Sequence, residues 1–408
     1  MPKQTPLISP RLGFNYDIRG DRSAQLRGGS GLFTGRFPFV WIGNQVANPD
    51  FFFYCVTDPD FKYPQVWRSN LGYDQRIGAG WIGTIDLVYT KDINAMMVRN
   101  YGLKLPSGNL QGVDTRPIYL PATDRVLVFG SPTNAYVFTN VSEGYSFNTS
   151  LQLTKNWEDG SMFQIGYNYL DAKDVASIDA EISSDAYDRN PGNVRHTNTP
   201  ELAPSLYGNK HRIVGAGSKR FRYGNFGTTI SIFSEYTQGG RFSYTYSGDV
   251  NGDGSPLNDL IFVPTDAQID QMAFSGDAAA QADQRAKLKQ YIAQDEYLSG
   301  RRGDYAEKYG ALSPWFSRWD MRILQDFYLP NSNTIQLSLD ILNVGNLINS
   351  DWGVRQFASY TGLAQPIAVS VENSVPTYTF DTAQTSTFFN DFGLSSRWQL
   401  QVGLRYIF

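Results

Sequence analysis

The spacing of the strand-like segments constrains this chain more than any one segment does. Eleven stretches alternate apolar and polar residues with the period of a β-strand: 11–19, 23–33, 66–76, 81–91, 145–155, 162–170, 210–221, 225–237, 319–329, 334–344 and 396–408. Every second connection is a turn of about two to five residues, and the others run to about 30–80. The short ones carry turn-forming residues: Gly20-Asp21, Gly78-Ala79-Gly80, Asn156 to Gly160, Tyr223-Gly224 and Pro330 to Asn333. In an antiparallel sheet this places every short turn at one end and every long connection at the other. A soluble sandwich has no reason to sort its connections by length.

The last stretch shows what the faces are for. Trp398, Leu400, Val402, Leu404, Tyr406 and Phe408 share one face, and Gln399, Gln401, Gly403, Arg405 and Ile407 the other. From Trp398 to Phe408 the strand is about 33 Å long. Tilted by about 40°, it covers about 25 Å along a bilayer normal, the height of the apolar band of a membrane barrel. A carboxyl-terminal Phe preceded by alternate apolar residues resembles the membrane-assembly signal of outer-membrane β-barrel proteins. In the eight best-patterned strands the apolar face carries almost no charge at mid-strand, where Lys or Arg would cost about 2–4 kcal/mol in lipid. A water-soluble module would interrupt it.

Composition excludes several classes. No run of 18 apolar residues is present, so no helix is suited to cross a bilayer. A net charge of −4 argues against nucleic acid as a main partner. Cys55 is the lone cysteine, and His196 and His211 are the only histidines, which leaves no thiolate or imidazole metal cluster. No Ser/His/Asp or Cys/His arrangement has a supporting motif, and no enzyme is expected. The amino-terminal Met-Pro-Lys-Gln-Thr-Pro lacks the charged and apolar regions of a secretory signal, so an export signal is expected upstream.

The long connections differ in character. Residues 34–65 hold Phe51-Phe52-Phe53-Tyr54 and several prolines, and 92–143 leave room for one more hairpin. Residues 171–209 read as a polar loop. Phe242, Tyr244 and Tyr246 extend the hairpin before them. The stretch 248–315 is a long excursion in which Asp277 to Gln294 reads as a helix, and 345–391 lead to the last strand.

Within the excursion, Asp249, Asn251 and Asp253 alternate before Gly254, with Asp259 following. Hard oxygens at alternate positions around a glycine turn are the opening of a calcium loop. Leu260 stands where such a loop places its bidentate Glu, and a set of Asx turns needing no Ca2+ gives the same pattern. Arg301-Arg302-Gly303-Asp304 suits an anionic ligand or glycan, or pairing within the loop. Trp315, Trp319, Trp352 and Trp398 serve either as sugar platforms or as interfacial girdle residues. Asp17, Arg27, Asp86, Arg322, Asp340 and Arg405 are placed on the polar face, fitting a wet interior or contacts to a plug.

Five segments, 9–45, 247–264, 295–327, 337–353 and the terminal strand, together resemble the TonB-dependent receptor superfamily. The likeness is to its Oar-like branch, whose members carry a carboxypeptidase-regulatory-like domain before the plug. The resemblance implies an all-β antiparallel outer-membrane barrel of about 22 strands in a Gram-negative bacterium. It also implies energised uptake or translocation of a ligand, a periplasmic TonB-type coupling protein, and barrel-assembly machinery as partners besides outer-membrane lipid. No plug or coupling box is visible in 1–408. Eleven strands are half of that barrel, and an odd count leaves the first and last strands parallel. The expectation is therefore the carboxyl-terminal half of a barrel domain, an open curved sheet with free edges near 11–19 and 396–408. The missing partners would be the amino-terminal barrel half and the plug. A secreted β-rich glycan-binding module is the alternative, and neither reading identifies ligand-binding residues.

Overall fold

A computed structural model describes residues 6–46, 53–178, 180–359 and 361–408. Residues 1–5 of the amino-terminal segment and Phe51-Phe52 lie outside them. Eleven strands run in sequence order across one sheet: β1 (Arg11–Asp17), β2 (Ala24–Thr34), β3 (Gln65–Gly78), β4 (Trp81–Asn100), β5 (Tyr145–Asn156), β6 (Met162–Asp174), β7 (His211–Tyr223), β8 (Phe226–Thr237), β9 (Phe316–Tyr328), β10 (Thr334–Leu342) and β11 (Gln399–Ile407). Every neighbouring pair is antiparallel. Among the described residues no ladder joins β1 to β11, so the sheet is open at both edges.

The short turns are tied locally. The Asp17 carboxylate accepts the backbone N–H groups of Gly20 and Arg22 at 2.9 and 2.8 Å, which closes the β1–β2 turn. Gly78, Ala79 and Gly80 all have positive φ, the backbone that a tight hairpin between twisted strands requires.

Register carries the period-two pattern across the sheet. One row runs Tyr16, Leu26, Tyr73, Ile85, Leu151, Tyr167, Ile213 and Tyr236 over β1 to β8. A second runs Ile230, Ile323, Leu339 and Val402 over β8 to β11. The opposite face runs Asn15, Arg27, Gly72, Asp86, Ser150, Asn168 and Arg212. A one-residue slip in any strand would exchange its faces, so this continuity shows that the pattern sets the register.

The apolar face has no protein against it. Leu12, Val402 and Leu404 are 81%, 70% and 74% exposed. Burying such a side chain is worth about 1.5–3 kcal/mol. One half-exposed row of eight therefore leaves on the order of 5–10 kcal/mol unrealised in water, comparable with the net stability of a whole domain.

The packed core lies elsewhere. The largest fully buried side chains, among them Arg116, Phe138, Tyr244, Tyr246, Leu288, Tyr291, Ile367 and Tyr378, all belong to the long connections. One cluster joins Leu110 and Ile118 to Tyr246, Leu288 and Tyr291, and to Ile367 and Tyr378, so three connections share a core. A second joins Phe37, Trp41 and Phe61 to Tyr136, Phe138 and Tyr187. The connections thus form a folded cap over the end of the sheet.

Several connections differ from the sequence reading. Arg241–Ser247 does not extend the preceding hairpin. It is a separate strand pairing in parallel with Leu363–Glu372 and antiparallel with Ala311–Leu312, and Phe242 to Tyr246 are all buried. Alternating aromatics look the same whether lipid or a protein core covers them. The 92–143 region adds no strand pair to the path. Instead β4 continues to Asn100, where Asn134–Val141 pairs with it and with Phe53–Thr57. The 345–391 connection contains a hairpin of Leu363–Glu372 with Val375–Phe380. The expected helix is present as Ala278–Gln294, with the Asp277 carboxylate capping the Ala280 N–H at 2.9 Å. Two short helices, Asp266–Gln271 and Glu296–Ser299, flank it.

Candidate functional site

Polar side chains gather in two places, the polar face of the sheet and the cap above it. On the face, Arg27 reaches Asp74 at 3.0 Å and Asp86 at 2.7 Å across the ladder. Gly72 lies between them, and a Cβ there would stand 2.6 Å from Asp86 Oδ1 and 2.7 Å from the Arg27 guanidinium. The glycine therefore makes room for this ion triad. Arg322 pairs with Asp340, Arg212 with Glu235 at 2.7 Å, and Arg318 with Asp320 at 2.8 Å. Arg405 stands opposite Gln336 on the same face, and Asp17 is spent on its turn. The six residues expected on this face are there, but only Arg27 with Asp86 and Arg322 with Asp340 are brought together.

The segment around Asp249 is buried where three connections meet. Asp249 Oδ1 accepts the N–H of Gly252 and Asp253 at 2.7 and 3.1 Å, and its Oδ2 that of Gly254 at 2.8 Å. Asn251 Oδ1 accepts the Asp253 N–H at 2.8 Å. Asp253 Oδ1 accepts the Ser255 N–H at 2.9 Å. Its Oδ2 takes the Tyr187 hydroxyl at 2.9 Å, the Thr197 hydroxyl at 2.8 Å and the Asn258 amide at 3.0 Å. Asp259 Oδ2 accepts the N–H groups of Val250 and Asn251 at 2.8 and 3.2 Å. Each of these oxygens accepts at least one protein donor, and Asp249 Oδ2 and Asp253 Oδ1, with a single N–H each, keep a second lone pair. Among the described residues no group of three or more His, Cys, Asp or Glu side chains is placed to hold a metal. The geometry is that of Asx turns, which fold the segment into the cap.

The centre of that cap is Arg116, 1% exposed. Its guanidinium donates to Asp114 at 2.8 Å, to Asp259 Oδ1 at 3.0 Å and to the Leu260 carbonyl at 2.5 Å. Tyr246 and Tyr305 each lie 5.3 Å from it as ring partners. Burial would lower the guanidinium, and Asp114 and Asp259 more than offset this, so it is held in its charged form. Burial pushes Asp259 up to about 7 despite Arg116, with Asp253 adding to the rise. Asp249 is raised well above the ordinary carboxyl range by burial and by Asp253 and Asp259. Asp188 is raised to about 6, chiefly by burial. Nothing in the sequence marks Arg116 and Asp114, because a D-x-R triplet in a proline-containing stretch has no periodicity to read.

The remaining candidates divide plainly. Arg301 pairs with Asp304 and Glu307, and Arg302 with Asp266 at 2.7 Å, so both are used within the loop. Trp315, Trp319, Trp352 and Trp398 are all exposed, and Trp315 also stacks on Tyr236 at 4.6 Å. In the terminal segment, Leu400, Val402, Leu404 and Tyr406 face Ile341, Leu339, Leu337 and Ile335 across the β10–β11 ladder. Trp398 immediately precedes β11 and Phe408 follows it, both exposed.

Sequence reading missed a recess under the cap. Two adjoining cavities of about 400 and 510 Å³ share Thr237, Phe316 and Arg355. Arg212, Glu235 and Arg318 line one, and Arg241, Phe242 and Asp391 the other. These residues come from β7, β8, β9 and two connections, so only the fold brings them together.

No family model matches this chain, and no curated protein matches it. Among solved structures it is similar to the outer membrane transporter YddB from Escherichia coli, at 15% sequence identity and a TM-score of 0.46. That alignment covers 87% of this chain and 38% of the transporter.

Proposed function

We propose that the sheet is part of the wall of an outer-membrane transport barrel. Its apolar face meets lipid, its polar face lines the passage, and the cap forms the outer surface. The observation that carries this reading is the uncovered apolar face, continuous over all eleven strands, with every long connection at one end. Charges on that face include Lys91, level with Trp67 and with the first residue of β5, Tyr145. Lys155 lies beside Trp81 and Trp157, and Lys219 pairs with Asp159 in the β5–β6 turn. Among the described residues no helix is long and apolar enough to cross a membrane. The strands are the spanning elements on the proposed reading.

On this reading β1 and β11 pair with further strands of a larger barrel, because edges left unpaired in lipid would cost several kcal/mol per backbone group. The resemblance to TonB-dependent receptors of the Oar-like branch supplies the finer proposal. A plug closes the passage, and a coupling protein at the short-turn end drives uptake of a ligand. The test is fractionation of the host. The chain should sediment with the outer membrane, resist alkaline carbonate and require detergent for release. Recovery in the soluble or secreted fraction would leave the glycan-binding module as the better reading.

A further inference from the structure

The double recess under the cap has an imbalance that its neighbours do not cure. Arg212 and Arg318 are neutralised by Glu235 and Asp320. Arg241 is not: among the described residues it forms no ion pair. Its guanidinium donates to the Tyr309 carbonyl at 3.1 Å. A guanidinium carries five N–H donors in a fixed fork, so most of this one's capacity is unspent. It is also partly desolvated, and burial lowers it, with Asp171 acting only from a distance.

Arg355 stands on the wall shared by both cavities and forms no ion pair among the described residues. The Asp391 carboxylate, on the same wall, feels the Arg355 charge without forming an ion pair with it, and its oxygens accept the Ser395 hydroxyl at 2.6 Å and the Gly393 N–H at 2.8 Å, so the Arg355 fork keeps its donors. A desolvated cation with open donors gains most from an anion that fits both oxygens to the fork. Phe242 and Phe316 line the same recess and offer apolar contact beside the charge.

We propose that this recess binds a small molecule carrying a carboxylate or phosphate, held by Arg241 and Arg355, with an apolar part against Phe242 and Phe316. The proposal rests on the cavity and its arginines and holds whether or not the sheet lies in lipid. The test uses the full chain purified from its host, with detergent only if it is needed to keep the chain in solution, titrated calorimetrically at low salt with citrate and with inorganic phosphate. Saturable binding of either is expected, and which one binds assigns the acid. Arg241→Gln and Arg355→Gln should each weaken it at least tenfold, and Arg301→Gln, whose guanidinium is spent within its own loop, should not. If Arg241→Gln fails to fold, the exposed Arg355 carries the test alone. Absence of binding at millimolar citrate and phosphate, or equal binding by the Arg355→Gln variant, overturns the proposal.

Discussion

Replacing Arg116 by methionine tests whether the cap is one folded unit. Methionine fills much of the same volume but removes every donor, leaving Asp114 and Asp259 buried without their cation. Breaking a buried pair from one side costs about 3–5 kcal/mol, because the stranded charge is neither solvated nor paired. Two ring contacts at 5.3 Å are lost as well, each worth up to about 2 kcal/mol when desolvated. A loss of about 3–5 kcal/mol exceeds what a region on connections can absorb without opening. Limited proteolysis in detergent should then cut within 101–144 and 238–315 while the sheet persists. Adding Asp114→Asn and Asp259→Asn should restore part of the protection by removing the stranded charges. The deficit of Arg116→Met alone should also shrink at pH 5, where Asp259, already pushed up to about 7, readily takes a proton. Wild-type protection in Arg116→Met at pH 7.5 would refute the claim that this residue holds the 101–144 and 238–315 connections together.

Three further outcomes follow from the geometry. Val402→Arg should impair membrane assembly more than Gln401→Arg, by about 2–4 kcal/mol in the stability of the inserted state, and equal yields would remove the facing assignment. Asp188 and Asp259 keep protons that the unfolded chain loses above about pH 4. Their contribution is therefore full below that value and lost as pH rises through about 6 and about 7, while His196, lowered by burial, opposes it. Asp188→Asn should accordingly flatten the rise in cap stability between pH 7.5 and 5.5, and an unchanged slope contradicts the assignment. A calcium chelator should leave protease protection of 248–315 unchanged if the Asx turns made by Asp249, Asn251 and Asp253 hold the segment by themselves; calcium-dependent protection would support the ion reading.

The eleven strands were legible because each carries its own period-two record, and short turns such as Gly78-Ala79-Gly80 declare themselves locally. Arg241–Ser247 was misread for the same reason. Its Phe-Ser-Tyr-Thr-Tyr pattern is that of a lipid-facing strand, and only the fold shows that Leu363–Glu372 covers it. Asp249 to Asp259 was legible as a turn-rich segment, but its oxygens could not be assigned to an ion or to N–H groups without their partners, Tyr187 and Thr197 on another connection and Arg116 on a third. Arg241 and Arg355 are separated by more than a hundred residues, and no local pattern connects them. What a strand pattern cannot convey is which long connections pack on one another, and the cap consists of such packing.

The central claim is that the apolar face meets lipid and the opposite face meets water. Spin labels at Val402→Cys and Gln401→Cys, in a background where buried Cys55 is replaced, test it on adjacent residues of β11 in the native membrane. The account expects the label at 402 to relax with lipid-soluble oxygen and to be shielded from a water-soluble nickel complex, and the label at 401 to show the reverse. Equal access of the nickel complex to both positions would contradict it.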